Sequence, residues 1–268
     1  MNQRACLVGL ILSTVSMGTL AGAPIGSDNF DDNSRSPVNW AEEFTTNLGR
    51  LQEAGQRLQY TTAGNPGESS PLDFAAWVWG RNDPRPAQEW TFQLDVSLPD
   101  LKLTASQSVF FGLEAADQRN PQAVFSLGYN SRAGGTPHTF TAVTPKGTVT
   151  RECTVLTPCG SYTSISDLTA IRFRFDGATS TLFTDFDPNA SDGYSWTNLS
   201  TTPDFIPDTI YVFGQSSNRA VTAADNVYGD NVMTTAVLVP EPSTYAIFML
   251  GIALLGWVTR ASRSRILS

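Results

Sequence analysis

Residues Trp90-Thr91-Phe92-Gln93-Leu94-Asp95-Val96-Ser97-Leu98 alternate apolar and polar side chains without interruption. Successive side chains of a β-strand point to opposite faces, so this stretch predicts a strand with one face in a core and the other in water. Residues 123–129 repeat the alternation, as do residues 171–175. Asp176-Gly177 follows the latter and predicts a hairpin whose return strand covers residues 181–186.

Shorter apolar runs predict further strands at residues 77–79, 109–111 and 210–213, with Pro and Gly between them. Residues 48–58 are the one stretch with a possible helical pattern, but Gly49 and Gly55 favour strand–turn–strand there. Many strands separated by turns, with almost no helix signal, predict an all-β sandwich or barrel. The span from residue 24 to residue 238 is long enough for one such domain.

The first 23 residues have the composition of a secretory signal peptide. Arg4 supplies a positive charge, an apolar segment begins at Leu7, and Ala21-Gly22-Ala23 offers small residues for cleavage. Pro24 would directly follow a cut at Ala23, so a cut after Ala21 is also open, and a retained N-terminal membrane anchor is the alternative. The partners that this segment predicts are the Sec translocon and signal peptidase.

The residues from 239 onward combine an extended segment, an apolar run and a basic end. Pro240 and Pro242 fix the backbone φ and lack N–H donors, so the chain before the run is extended and exposed. Residues 244–259 carry no charge and predict one transmembrane helix, which at ~1.5 Å per residue is short for a ~30 Å hydrocarbon layer. The arginines behind it should stay cytoplasmic. A buried C-terminal core helix is the alternative.

This tail resembles the PEP-CTERM sorting signal of Gram-negative bacteria. The residues that carry the resemblance are Val239, Pro240, Glu241, Pro242, Ser243, Thr244, Arg260, Arg263 and Arg265. The resemblance implies an exosortase as partner, which cuts near the motif and releases the body from a transient anchor in the inner membrane. It also implies a place at the cell surface or outside the cell, with exopolysaccharide and biofilm. The predicted organisation is a signal peptide at 1–23, a body at 24–238 and a sorting tail at 239–268.

Cysteine usage and charge agree with an exported body. Cys6 leaves with the signal peptide, and Cys153 and Cys159 have the spacing of a small disulfide loop in an oxidising compartment. The chain has a formal net charge of −8 and its ends are basic, so the body is more acidic still. A surface of that sign repels nucleic acid, which excludes a nucleic-acid partner.

Two acidic segments near the ends of the body carry a second resemblance. Residues 28–33 (Asp-Asn-Phe-Asp-Asp-Asn) begin the body, and residues 224–232 (Ala-Asp-Asn-Val-Tyr-Gly-Asp-Asn-Val) close it. This layout resembles concanavalin A-like lectin and glucanase jelly rolls, in which the first and last strands lie side by side. The resemblance implies a jelly-roll β-sandwich.

Residues that could support catalysis are few. His138 is the one histidine of the chain, which excludes multi-histidine metal sites, and no nucleophile-elbow motif accompanies it. The Glu-x-Asp-x-(x)-Glu run of jelly-roll glucanases does not occur in the sequence. The chain is therefore predicted to be non-catalytic. The open alternatives are a carbohydrate-active enzyme (a glycoside hydrolase or lyase with an unfamiliar carboxylate arrangement) and a purely structural envelope protein.

The segment from residue 185 to residue 196 holds the candidate ligand-binding side chains. Oxygen-bearing groups occupy nearly alternate positions in its first half: Asp185, Asp187, Asn189 and Asp192. Such spacing suits calcium, with a metal-free polar loop as the alternative. Tyr194 and Trp196 follow, and because sugar rings stack on flat apolar faces, we expect this pair to bind glycan. The predicted function is a surface or matrix protein that associates with glycan or exopolysaccharide.

Overall fold

The computed structural model describes residues 23–62, 70–80, 89–104, 106–117, 124–132 and 138–237. The regular structure of these residues is β-strand, apart from one-turn 3₁₀ helices at Ala190–Asp192 and Ala223–Asp225. The strands are β1 (Ala23–Asp28), β2 (Trp40–Thr46), β3 (Gly49–Glu53), β4 (Leu58–Thr62), β5 (Asp73–Trp79), β6 (Glu89–Ser97), β7 (Ser108–Ala116), β8 (Val124–Arg132), β9 (His138–Thr144), β10 (Gly147–Arg151), β11 (Leu168–Asp176), β12 (Thr181–Asp187), β13 (Thr197–Thr202), β14 (Thr209–Ser217) and β15 (Tyr228–Val237).

The strands form two antiparallel sheets, which confirms the predicted all-β sandwich. The first sheet has the order β13-β12-β11-β6-β15-β4-β3, with β1 also paired to β15, and the second has the order β10-β9-β8-β7-β14-β5-β2. β1 and β15 pair from Ala23 opposite Ala236 to Asp28 opposite Val232. The first and last strands therefore lie side by side, as the resemblance to jelly rolls implies.

The predicted hairpin after residue 175 is present as β11 and β12. Asp176 pairs with Thr181, so four residues form the turn between them. The Asp176 carboxylate accepts the N–H of Ala178 at 2.9 Å and the N–H of Thr179 at 3.3 Å, which closes the turn through a side chain. The span of residues 48–58 also follows its prediction, because β3 and β4 pair across a turn there.

The core lies between the sheets and is rich in aromatic residues. β6 directs Trp90, Phe92, Leu94 and Val96 inward, and all four are buried. Phe140 of β9 stacks on Phe186 of β12 with ring centroids 4.2 Å apart, and this contact joins the two sheets. Burial of each such side chain stabilises the fold by about 1.5–3 kcal/mol.

The buried apolar cluster extends from Phe30 to Ala236 and draws on both sheets. Because the described residues of the body share this core, we expect the body to fold without the residues that flank it. The predicted signal peptide, the sorting tail and the transmembrane helix at 244–259 lie outside the described residues. Within the described ranges, no helix has the length and apolar character needed to span a membrane.

Candidate functional site

A row of side chains crosses the outer face of the first sheet. The residues of this row pair with one another across neighbouring strands. In order from β15 to β13, they are Met233, Gln93, Arg172, Asp185 and Asn198. The residues on either side of Gln93 and of Arg172 point into the core, so the row points away from it.

The loop between β12 and β13 folds back over this face. Ala170 of β11 is fully buried on the outer side of the sheet, and its small side chain leaves room for the loop. Asp187 accepts the N–H of Asn189 at 2.9 Å and also accepts the N–H of Ser195. The Asn189 side chain in turn accepts the N–H of Ser191 at 3.3 Å, capping the 3₁₀ turn. These bonds close the loop and bring its last residues onto the sheet.

The two residues predicted to bind glycan lie together at the end of this loop. The rings of Tyr194 and Trp196 stack with centroids 5.4 Å apart and planes 14° apart. The guanidinium of Arg172 lies 4.3 Å from the centroid of the Trp196 ring, a cation–π contact that holds the pair on the sheet. Tyr194 remains 45% exposed, so part of its ring is open to a ligand.

Asp185, the first residue predicted to bind calcium, is ion-paired in this structure. Its Oδ2 lies 2.9 Å from Nε of Arg172 and 3.5 Å from Nε of Arg174, and its Oδ1 accepts from Nδ2 of Asn198 at 3.0 Å. Burial lowers the pKa of Arg172 and Asp185 opposes that shift. The guanidinium stays charged at neutral pH, so a metal ion at Asp185 would meet positive charge.

The other three predicted calcium ligands shape the loop. Asp187 and Asn189 bind backbone N–H groups, and both carboxylate oxygens of Asp192 accept from the hydroxyl of Tyr162 at 2.8 Å. In the part of the chain that the structure describes, no three His, Cys, Asp or Glu side chains are grouped to hold a metal. In this structure the oxygens of these four residues serve the ion pair and the loop.

A buried carboxylate lies beneath Tyr194. Asp95 is 5% exposed, and each of its oxygens lies 3.1 Å from the Tyr194 hydroxyl that donates to it. Nδ2 of Asn231 donates to Asp95 at 2.9 Å. Asn231 has a φ of 49° in the irregular stretch of β15 between Asp230 and Met233. Asn tolerates this left-handed conformation, which turns its amide toward Asp95.

Burial is the main influence on the acidity of this group. It raises the pKa of Asp95, the hydrogen bonds from Asn231 and Tyr194 oppose the rise, and the charge of Asp230 adds to it. Burial and the Asp95 charge together raise the pKa of Tyr194 to about 12. The Gln93 amide lies beside both groups, but its buried Nε2 makes no hydrogen bond of normal geometry.

A cavity of about 400 Å³ opens next to Tyr194. Its lining combines polar and apolar side chains: Ser27, Asp28, Asn29, Gln93, Tyr194, Asn231, Val232 and Met233. Asp28 is held in place by Nε1 of Trp40 at 2.8 Å and Nδ2 of Asn39 at 3.1 Å. A concave site with an aromatic wall and a few fixed polar groups is typical of small-molecule binding.

The sequence predicted Tyr194 and Trp196 as residues of this site, but it did not predict Asp95, Gln93 and Asn231. The alternation of β6 was the available signal, because it places Gln93 and Asp95 on the outer face. No sequence pattern predicted the irregular register of β15, which brings Asn231 close to Asp95.

Cys153 and Cys159 form a disulfide with their Cα atoms 5.3 Å apart. Both are buried, and the bond closes the loop that follows β10. This loop lies beside the candidate site, because Tyr162 beyond it donates to Asp192.

The chain combines an antiparallel β-sandwich with a sorting tail. Residues 238–264 match the PEP-CTERM protein-sorting motif, which confirms the predicted tail. This motif indicates export and membrane-anchored sorting toward the cell surface. No curated protein matches the chain.

The chain is similar in fold to solved structures that include the following three. The exoplasmic domain of VIP36, in a form bound to Ca²⁺ and Man2, is 10% identical, with 82% of this chain and 92% of that chain covered and a TM-score of 0.47. Peanut lectin with a 9mer peptide is 13% identical, with 80% and 99% covered and a TM-score of 0.43. A bifunctional GH43-CE protein from Bacteroides eggerthii is 13% identical, with 80% and 26% covered and a TM-score of 0.46. Similarity at this level carries no information on ligand or activity.

Proposed function

We propose that this chain is an exported, exosortase-sorted protein whose body binds glycan without cleaving it. The Sec translocon and signal peptidase would deliver it across the inner membrane of a Gram-negative cell. The tail would anchor it there transiently, until an exosortase releases the body to the cell surface or the exopolysaccharide matrix of a biofilm. The sorting motif at residues 238–264 supports this route.

The observation that carries the glycan proposal is the half-open Tyr194 ring at the wall of a largely apolar cavity with a few fixed polar groups. A sugar ring presents C–H groups that stack on an aromatic face and hydroxyl groups that need donors and acceptors. Asn231 and Asp28 supply fixed polar groups there. Nε2 of Gln93 is buried and makes no hydrogen bond of normal geometry, so an acceptor on the ligand would gain a donor there.

The position of the cavity suits a tethered protein. β15 leads directly into the tail, and Met233 lies four residues before the end of this strand at Val237. At ~3.3 Å per residue, the cavity is more than about 10 Å from the point where the tail leaves the body. A ligand could therefore reach it while the tail is still in the membrane.

The carboxylates near the cavity favour binding over catalysis. Hydrolysis of a glycosidic bond needs one carboxyl group as acid and a second as nucleophile or base, about 5–9.5 Å apart across the substrate. Asp28 is fixed by Trp40 and Asn39, and Asp95 is covered by Tyr194 and Asn231. We therefore propose that neither performs this role.

A carbohydrate-active enzyme, a glycoside hydrolase or lyase, is the second candidate. One observation favours it, since burial raises the pKa of Asp95 beside Asp230, and a general acid requires such a shift. Release of reducing ends or unsaturated products from exopolysaccharide by the purified body, abolished in Asp95→Asn, would establish the enzyme. Unchanged polysaccharide would support binding.

The glycan proposal is tested by calorimetric titration of residues 24–238 with cellohexaose, chitohexaose and exopolysaccharide from the producing cells. Tyr194→Ala should weaken binding by about tenfold or more, the loss expected for an aromatic anchor. Leu156→Ala is the control, because Leu156 is 92% exposed on the disulfide loop. Absence of binding to all three probes would contradict the proposal and favour a purely structural envelope protein.

The sorting route is tested in the producing cells. Deletion of residues 240–242 should leave the uncut protein in the inner membrane fraction, because the motif that the exosortase reads is gone. Ser268→Ala, a change beyond the matched residues 238–264, should be released normally. Normal release of the deletion variant would contradict exosortase sorting.

A further inference from the structure

A second cavity lies on the opposite side of the sandwich, on the outer face of the second sheet. Its volume is about 570 Å³. The lining comes from β2, β5, β14 and the residues next to them: Ala41, Glu42, Phe44, Val78, Trp79, Gly80, Asp208, Thr209 and Tyr211. Tyr211 lies between Ile210 and Val212, which are buried in the core, so its own ring points away from the core.

Two aromatic rings form the wall of this cavity. Phe44 and Tyr211 have ring centroids 6.3 Å apart with planes inclined by 59°. They stand on strands two apart, and the strand between them carries Ala76 opposite Phe44. The small Ala76 side chain leaves the rings clear above the sheet. Phe44 is 45% exposed, which is high for a phenyl ring held in a strand.

An aromatic cluster lies beyond the cavity on the same face of the sheet. Phe213 stacks on Phe74 at 5.8 Å and on Phe110 at 5.3 Å, so three rings follow one another across β5, β14 and β7. Phe213 is only 3% exposed, so these rings pack against the sheet and do not extend the open surface. The open aromatic surface is therefore the cavity wall that Phe44 and Tyr211 form.

Acidic groups surround the Tyr211 hydroxyl. Burial raises the pKa of Tyr211, and the charges of Glu114, Asp208 and Glu42 add to the rise. Carboxylates accept hydrogen bonds from sugar hydroxyls, and the rings offer faces to sugar C–H groups. None of the residues described as lining this cavity is Lys or Arg. The chemistry therefore fits a neutral glycan better than a polyanionic one.

We infer that the body has two glycan sites, the Tyr194 cavity and the Phe44–Tyr211 cavity, and that it cross-links polysaccharide chains. This inference rests on the proposed function for the first site only. The sheets stack about 10 Å apart and side chains extend from both outer faces, so the sites are roughly 20 Å apart and face opposite directions. One extended polysaccharide cannot lie on both faces at once, so an occupied body joins two chains.

The test is the stoichiometry of cellohexaose and chitohexaose on residues 24–238, read by calorimetry. Two hexasaccharides per body are expected for the wild type. Phe44→Ala and Tyr211→Ala should each weaken binding at the second cavity by about tenfold or more, and Tyr194→Ala should do the same at the first, so each variant keeps one site of wild-type affinity. Phe44 lies in an edge strand and is well exposed, so its removal should keep the fold. Leu156→Ala should keep both sites.

Cross-linking is read from the viscosity of the cells' own exopolysaccharide. The wild-type body should raise it, whereas Phe44→Ala and Tyr194→Ala should bind without raising it. One hexasaccharide per wild-type body, unchanged in Phe44→Ala, would overturn the second site and leave the first intact. Two sites without any rise in viscosity would overturn cross-linking. Failure of the wild type to bind either hexasaccharide or the exopolysaccharide would overturn both proposals.

Discussion

Arg172 connects the buried ion pair to the aromatic pair, so replacing it by methionine tests the construction of the site. Its Nε lies 2.9 Å from Oδ2 of Asp185, and its guanidinium lies 4.3 Å from the centroid of the Trp196 ring. Methionine keeps an unbranched apolar stem of similar length but removes the charge and the donors. The substitution should lower stability and loosen Trp196 on the sheet.

The size of the effect follows from the two contacts. A hydrogen bond to a charged group contributes about 2 kcal/mol and a cation–π contact about 1 kcal/mol, so the free energy of unfolding should fall by about 3 kcal/mol. In the Arg172→Met variant, Asp185 would still contact Asn198 at 3.0 Å and Arg174 at 3.5 Å. The loss of stability should therefore lie at the low end of the range for a buried charge whose partner has been removed. For a domain of this size, that corresponds to a fall in Tm of about 6–12 °C.

The assay is urea and thermal unfolding of residues 24–238, followed by circular dichroism. Arg174→Met is the matched control: its Nε lies farther from Asp185, at 3.5 Å, and its side chain is 41% exposed, so about 1 kcal/mol is expected. In an Asp185→Asn background, Arg172→Met should cost only about 1 kcal/mol. Equal losses for the two arginine variants, or a loss below about 0.5 kcal/mol for Arg172→Met, would show that Arg172 does not stabilise the site through Asp185 and Trp196.

Three further predictions concern the body. Gly214→Ala places a Cβ against the buried ring of Tyr60, so unfolding in urea should show a loss of about 1–3 kcal/mol, and an unchanged midpoint would contradict the packing. Burial and neighbouring carboxylates raise the pKa of Glu53 to about 7 from 4.5. The folded state then binds this proton more tightly than the unfolded chain, so stability should fall as pH rises between these values, and Glu53→Gln should flatten the profile. Joint replacement of Cys153 and Cys159 by serine should lower the free energy of unfolding by about 2 kcal/mol, and a wild type indifferent to reductant would count against that.

The strand pattern was readable in the sequence because one physical rule governs it. The alternation from Trp90 to Leu98 is the consequence of a strand with one face in the core, and the structure buries the apolar half of it. The prediction that the other face lies in water is wrong, because Gln93, Asp95 and Ser97 are buried as well. The hairpin at Asp176 was readable for a related reason, since Asp closes a turn through its own carboxylate. Such signals are local, so they do not depend on which strands pair with each other.

The site was only half readable because it depends on contacts across the sheet. Tyr194 and Trp196 stood out as aromatic residues in a polar loop, but the register that places Arg172 between Gln93 and Asp185 is not a local property. The same register places Asp185 opposite two arginines on the neighbouring strand, a contact that the acidic spacing in the sequence does not reveal.

The most direct test of glycan binding at the first-sheet cavity is a crystal structure of residues 24–238 soaked with chitohexaose or cellohexaose. We expect a sugar ring stacked on Tyr194, about 4 Å from its face, with hydrogen bonds to Asn231 and Gln93. Sugar bound elsewhere on the body, with the cavity beside Tyr194 empty, would contradict it.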